Sequence, residues 1–247
     1  MAPRASASAP GRGGPVNAAH ALVVAVIGPP GAGKSTLSRS LAETCTASIF
    51  RVREAAHRAA HADPVNPVFA AALESTRDPL GWLPDLLAHH LVRGALDAAP
   101  YQKMILEGFP GNDYQARALA LHLRAVGRQL SVIELTARPG TLAGRLARRR
   151  VCPSCDTSPG GPRHPAAASR ALPSLCSACG TPLLVRDTDR GEQAAARQAR
   201  YTANLPGIRA VLVHEAGVPW QTLATDPDEP PASARLLSLM PFERTPL

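Results

Sequence analysis

The chain has 247 residues, 45% of them hydrophobic, and a formal net charge of +8. That length supports one substantial core with a small insertion or two, and no apolar stretch approaches the ~20 residues of a membrane-spanning helix. The basic balance invites nucleic acid, but aromatic residues make up only 4% and are scattered, so no platform for stacked bases is visible.

Residues 1–19 are rich in Ala, Pro, Gly, Ser and Arg without a hydrophobic period and read as a disordered N-terminal arm. Arg4 and Arg12 ahead of an apolar run mimic a signal peptide, but the run Ala21–Ile27 reads better as a buried strand. It leads into Gly28-Pro29-Pro30-Gly31-Ala32-Gly33-Lys34-Ser35-Thr36, a G-x-x-x-x-G-K-S phosphate-binding loop, with a helix expected over 34–44. In this strand–loop–helix setting the backbone N–H groups curl around a polyphosphate, Lys34 reaches its outer oxygens and Ser35 meets a Mg²⁺ ion. Lys34 is one of only two lysines, against 25 arginines. The loop predicts nucleoside triphosphate binding.

Further strands are predicted at Ser48–Val52, Lys103–Glu107, Leu130–Leu135 and Pro219–Leu223. Helices are predicted at 84–97, 113–126, 139–150, 189–203 and 232–240. The alternation predicts an α/β, P-loop NTPase-type three-layer fold with a central parallel sheet, its core spanning 20–150 and 186–241. Residues 53–100, mainly helical and broken at Pro64, Pro67, Pro79 and Pro84, read as an insertion. So do residues 151–185, dense in Pro, Gly and Ser.

The second insertion carries Cys152-x-x-Cys155 and, twenty residues later, Cys176-x-x-Cys179. Two such pairs fit one structural Zn²⁺ ion held by four thiolates, in a segment with little apolar core of its own. Four thiolates complete the tetrahedron, so His164 is expected to face solvent rather than to join them. Cys45 is expected to pack as a small apolar residue on the first helix. Paired metal-binding cysteines point to a reducing compartment, and a cytoplasmic location is expected.

Taken together, these segments resemble the adenylate kinase family in its zinc-lid form. Leu106-Glu107-Gly108-Phe109-Pro110-Gly111 resembles the family's Leu-Asp-Gly-Phe-Pro-Arg, and Gln115-Ala116 follows at the spacing of its Gln-Ala. Gly81-Trp82-Leu83-Pro84-Asp85 resembles its Gly-x-Val-Pro-Asp. Arg145 through Cys152 resembles its Arg-x-x-x-Arg-Arg-x-Cys at the lid entrance, and Arg186-Asp187-Thr188-Asp189 its Arg-x-Asp-Asp at the lid exit. Arg197 falls eleven residues after Arg186, where the family has a further arginine. The resemblance covers roughly residues 21–240.

The resemblance implies transfer of a phosphoryl group from ATP to AMP or a related nucleoside monophosphate by a monomeric enzyme, with Mg²⁺ and a structural Zn²⁺. It makes 53–100 a helical monophosphate-binding insertion and 151–185 a zinc lid. Lys34, Arg149, Arg186 and Arg197 would be catalytic. Gly28, Gly31, Ala32, Gly33, Lys34, Ser35, Thr36, Arg145 and Glu107 would bind the donor and its metal, and Asp189 would orient a lid arginine. Leu83, Gly108 and Gln115 would meet the acceptor. Arg148 and Arg150 read as a solvated basic face.

Two departures fall on the acceptor side. Gly111 and Asn112 stand where the family's Gly-Phe-Pro-Arg has its arginine. The family's Thr-Gly-Asp-x-x-Arg is missing, and the region reads Phe50-Arg51-Val52-Arg53-Glu54-Ala55-Ala56. Arg53 is the first candidate for a replacement phosphate contact, with Arg51 and Arg58 as rivals. Gly111 either loses the arginine's function or makes room for a bulkier acceptor. It also keeps open a nucleotide-binding sensor on the same fold with weak or no transfer. A zinc-ribbon ATPase acting on nucleic acid is a third reading.

Overall fold

The computed structural model describes residues 22–62, 82–158, 161–162 and 164–239, together with 67, 71, 78 and 80. The expected arm at 1–19 and the breaks at Pro64 and Pro79 lie outside the described residues.

Five strands form one parallel sheet: β1 (Val23–Ile27), β2 (Ser48–Phe50), β3 (Met104–Glu107), β4 (Leu130–Thr136) and β5 (Trp220–Ala224), in the order β2-β3-β1-β4-β5. β1 is central, with Val24 opposite Ile105 on one side and Ser131 on the other. Its sequence Val-Val-Ala-Val-Ile has no polar position because both faces of the sheet are covered. Val23, Ala25 and Ile27 point into one apolar cluster, and Val24 and Val26 into the other. This is the period of two that a strand imposes.

Helices α1 (Lys34–Cys45), α5 (Pro139–Arg148) and α7 (Ala232–Leu239) contribute Leu37, Leu41, Leu142 and Leu236 to the second cluster. Helices α2 (Val52–Ala60), α3 (Asp85–Ala98), α4 (Asp113–Ala125) and α6 (Gly191–Arg209) cover the opposite face, with Ala55, Val92, Leu96, Leu119, Leu123 and Ile208 buried there. The three-layer α/β expectation holds.

Two boundaries differ from the sequence reading. The strand expected at 48–52 stops at Phe50, where its pairing with the short β3 ends. Arg51 then serves as the extended residue before α2, and its carbonyl accepts the Ala55 N–H at 3.0 Å. The helix expected at 189–203 runs on to Arg209 through Pro206 and continues as a π-helical segment, Ala210–Glu215. Proline removes one helical donor and loosens the ladder, while burial of Ile208, Val211 and Leu212 holds the chain in place. Cys45 is half-buried at the end of α1.

Candidate active site

A cavity of about 850 Å³ lies at the carboxyl ends of β1, β3 and β4, where the chain leaves the central strands in opposite directions. Gly31, Ala32, Gly33, Lys34, Ser35 and Thr36 line one end of it. Gly33 precedes α1 with φ 92°, a left-handed conformation that favours glycine and turns the loop into the helix. Gly28 sits behind the cavity wall, and its carbonyl accepts from Lys34 Nζ at 2.7 Å, with Pro29 at 2.9 Å. Burial lowers the Lys34 ammonium to about 8, helped by the positive charges of Arg197, Arg149 and Arg186 and opposed by Glu107. This end of the cavity is a cationic pocket whose charges a polyphosphate would neutralise.

Glu107, at the end of β3, accepts from Ser35 Oγ at 2.5 Å through one oxygen. Its other oxygen accepts from Arg51 Nε and Nη2 at 2.9 and 2.7 Å. Burial pushes the Glu107 carboxyl up, but the Arg51 hydrogen bonds and charge, with Ser35 and Lys34, outweigh it and hold it below its ordinary value. A hydroxyl and a carboxylate in contact beside a phosphate loop are the oxygen donors that suit Mg²⁺.

The arginines at the two ends of the cysteine segment converge on Asp189, whose side chain is fully buried. Arg149 grips it with two nitrogens, Nε at 2.6 Å and Nη2 on the other oxygen. Arg197 Nη1 donates to the Thr188 carbonyl at 3.1 Å and approaches Asp189 at 3.4 Å. Burial holds Arg197 below its ordinary value even beside that carboxylate. Arg149, Arg186 and Arg197 all line the cavity. Arg145 ties the phosphate loop to the loop after β5, donating to Gly31 O at 3.3 Å, to Thr225 Oγ1 at 3.1 Å and to the Thr225 carbonyl. Arg148 is exposed but reaches the rim, whereas Arg150 bonds the carbonyls of Ala147 and Arg149.

The four paired cysteines come together, their sulfurs all within 4.8 Å of one another. Cys152–Cys179, Cys155–Cys179 and Cys155–Cys176 are 3.4, 3.3 and 3.7 Å apart. Those separations exceed a disulfide's ~2.05 Å and lie near the ~3.8 Å edge of a tetrahedron with metal–sulfur bonds of about 2.3 Å. Thr181, through its hydroxyl and backbone, pulls the Cys179 thiol down to about 6. Hydrogen bonding to the other three sulfurs, Cys179 foremost, pushes Cys155 up to about 12. The donor set fits zinc. Short antiparallel bridges, Val151 with Leu184 and Ala168 with Cys176, frame it.

The opposite wall carries Arg53, Trp82, Leu83, Gly108, Gly111 and Gln115. Arg53 Nη2 donates to the Leu80 carbonyl at 2.8 Å. Arg58 is exposed and does not line the cavity, which removes it as a rival for the phosphate contact. Gln115 is buried with its amide engaged: Oε1 accepts the Gly111 N–H at 2.7 Å and Nε2 donates to Asp85 at 2.6 Å. A Cβ added to Gly111 would lie 2.7 Å from Trp82 Cη2. The absence of a side chain at Gly111 leaves the indole of Trp82 its place.

A family model described as an AAA domain matches residues 24–155. The adenylate kinase of Citrifermentans bemidjiense is 31% identical over 186 residues, covering 72% of this chain and 81% of that protein. The chain belongs to the adenylate kinase family. The adenylate kinase of Thermococcus gammatolerans is 28% identical over 186 residues, covering 75% of this chain and 80% of its own. That of Thermococcus onnurineus is 28% identical over 190 residues, with coverages of 75% and 80%.

Within this family frame, several side chains at the site escape sequence reasoning. His164, expected to face solvent, lines the cavity and bonds Asp156 Oδ2 through Nδ1 at 2.9 Å. The same carboxylate oxygen accepts the His164 N–H at 2.7 Å, which fixes the loop. Asp85 gathers Asn112 and Gln115 and so positions the wall around Gly111. Thr225 anchors Arg145. Asp85 and Thr225 work through partners 27 to 80 residues away, whereas His164 pairs with Asp156 only eight positions earlier. Trp82, one of only two tryptophans, and Asp85 both stand inside the quoted Gly81–Asp85 motif. No described helix is long and apolar enough to cross a membrane.

Proposed function

We propose that this protein is a nucleoside monophosphate kinase that transfers the γ-phosphoryl group of ATP to AMP or a related monophosphate. One observation carries the reading: the phosphate loop and three arginines from both ends of the cysteine segment line one cavity. Phosphoryl transfer needs positioning and neutralisation of charge spreading over the transferred group, and this constellation supplies both. Family membership supports the same reaction.

Lys34 and the backbone of Gly31–Ser35 hold the donor phosphates. Arg149, Arg186 and Arg197 surround the transferred group, their planar forks matched to phosphate oxygens. Asp189 keeps Arg149 and Arg197 aimed and so acts through them. Arg145 packs against the donor nucleoside, between the phosphate loop and Thr225. A bound Mg²⁺ ion would offset the charge of the donor phosphates. Ser35 and Glu107 are the groups that would hold it, Glu107 through water, and Arg51 keeps that carboxylate ionised and oriented. Arg53 contacts the acceptor phosphate; Leu83, Gly108 and Gln115 bound the acceptor nucleoside. The segment 151–185, shaped by zinc, closes over the cavity and excludes water. The protein acts as a cytoplasmic monomer.

A second reading, nucleotide binding with little transfer, draws on the lack of a cation at Gly111. One assay separates them: ADP formation from ATP and Mg²⁺ with AMP, GMP, CMP, UMP or dTMP, against a control without acceptor. Acceptor-dependent turnover supports the kinase. ATP binding with no acceptor-dependent turnover supports the sensor.

A further inference from the structure

We propose that Tyr201 is a positioning residue for phosphoryl transfer: its hydroxyl, bound to the buried Glu134 carboxylate, fixes α6 on the sheet and so aims Arg197, one helical turn earlier, at the transferred group. This rests on the reading above that Arg197 acts on that group.

Side chains four and seven positions apart share one face of a helix, so Arg197, Tyr201 and Asn204 form a single stripe along α6. Each reaches a different part of the site's frame. Arg197 Nη1 donates to the Thr188 carbonyl at 3.1 Å, at the exit of the cysteine segment. Tyr201 Oη donates to Glu134 Oε1 at 3.3 Å. Asn204 Nδ2 donates to the Gly111 carbonyl at 3.0 Å. The helix buries little else. Ile208 is its only buried residue, and among the described residues none of α6 before Leu205 joins either apolar cluster. Arg197 stands ~16 Å along the helix axis from Ile208. Pro206 removes a rung of the hydrogen-bond ladder between the two. Arg200 ties this half of the helix sideways to Asp78 at 2.7 Å. Tyr201 ties it down to the sheet.

Glu134 is a fixed post for that bond. On β4 it shares a face with Val132, which belongs to the cluster α6 covers. Thr222 stands opposite it on β5, and Trp220, two residues earlier, shares that face. Trp220 Nε1 and Thr222 Oγ1 both donate to Glu134 Oε2 at 3.1 Å, which leaves Oε1 to Tyr201. Arg209 Nη1, 3.7 Å from Oε2, balances the charge. Burial and the Glu134 carboxylate push the Tyr201 phenol above its ordinary value, so it stays protonated and donates. Glu134, Trp220 and Tyr201 do not line the cavity. Their part in transfer is therefore geometric. Asp189 sets the direction of the Arg197 guanidinium, and Tyr201 sets the backbone from which it extends. A misplacement of about 1 Å in such a constellation can cost on the order of 10²-fold in rate.

Tyr201→Phe keeps the ring and removes only the hydroxyl. With the acceptor the enzyme uses best, it should lower kcat about tenfold, with both KM values within about twofold of wild type and the urea unfolding midpoint little changed. The same substitution in an Arg197→Ala background, followed in single turnover, should change the rate by less than about twofold, because its effect runs through Arg197. A wild-type kcat in Tyr201→Phe overturns the proposal, and so does the full loss persisting without Arg197. A loss confined to KM or to stability marks a structural residue and overturns it as well. A wild-type protein that transfers to no acceptor overturns the kinase reading and this proposal with it. An active wild type with an additive cycle overturns this proposal alone.

Discussion

At the phosphate-loop end of the cavity the contacts come from backbone and from a set of cations whose spacing follows the family. The wall around Trp82 departs from the family's pattern at Gly111. Lys34 converges with Arg149, Arg186 and Arg197 from more than a hundred residues away in sequence, and buried Asp189 anchors Arg149 and Arg197. Across the cavity Gly111, with the Trp82 ring resting on it, stands where the family's pattern has an arginine. The difference separates two tasks. Neutralising a polyphosphate is the same problem for every nucleotide, so its solution is constrained. Choosing an acceptor is a local problem of shape, and that wall is where the chain has changed.

The largest effects should come from the phosphate-loop end. Arg149→Ala should lower kcat on the order of 10³-fold while ATP affinity changes little, because its fork acts on the transferred group. Asp189→Asn should show a milder loss with the same profile, as expected of a positioning residue. An Arg149→Ala enzyme with nearly normal kcat would remove this arginine from the transfer site.

Lys34→Ala should cost on the order of 10²–10³ in kcat/KM and weaken ATP binding, measured by steady-state kinetics and calorimetry. A gentler version is pH. The buried ammonium is lowered from 10.5 to about 8, so raising the pH through 8 discharges it in the free protein. ATP binding should weaken by about tenfold between pH 7 and 9, and Lys34→Ala should abolish that dependence. The stability sign is the opposite. Between pH 8 and 10.5 the unfolded chain holds the extra proton, so this group makes the ligand-free fold gain stability as pH rises.

At the Trp82 wall, Gly111→Arg sharpens the contrast. Restoring the family's arginine should not restore function, because its Cβ meets the indole at 2.7 Å. We expect a stability loss of ~1–3 kcal/mol, read by denaturant melts, and a higher acceptor KM. Raised activity in this single variant would mean that position 111 is a simple loss. The smallest effect on the core should come from Cys152→Ser. Zinc content should vanish and 151–185 become protease-sensitive, while the sheet's melting transition stays in place. Full metal content would rule out the four-thiolate site.

The frame was legible because its signals are local. Val23–Ile27 followed by the glycine-rich loop specifies a strand, a turn and a helix within a few residues, and the cysteine spacing specifies a cluster. The parallel three-layer sheet was legible because strands alternating with helices leave few other ways to cover both faces. The acceptor wall was less legible because its meaning lies in contacts across the fold. Gly111 reads as a loss until Trp82, twenty-nine positions earlier, is seen resting on it. Arg51 and Arg53 are two positions apart and equivalent as letters. Only the fold separates them, giving Arg51 to Glu107 and Arg53 to the rim near Leu80. His164 differs: Asp156, only eight positions earlier, draws it inward.

The most direct test of the account follows the phosphoryl group itself. The protein would be mixed with ATP labelled at the γ-phosphorus, Mg²⁺ and AMP, and the products separated after a single turnover. Transfer to AMP puts the label in the β-position of newly formed ADP, with little released as inorganic phosphate. Label appearing only as inorganic phosphate, or remaining in ATP while both nucleotides bind, would contradict it.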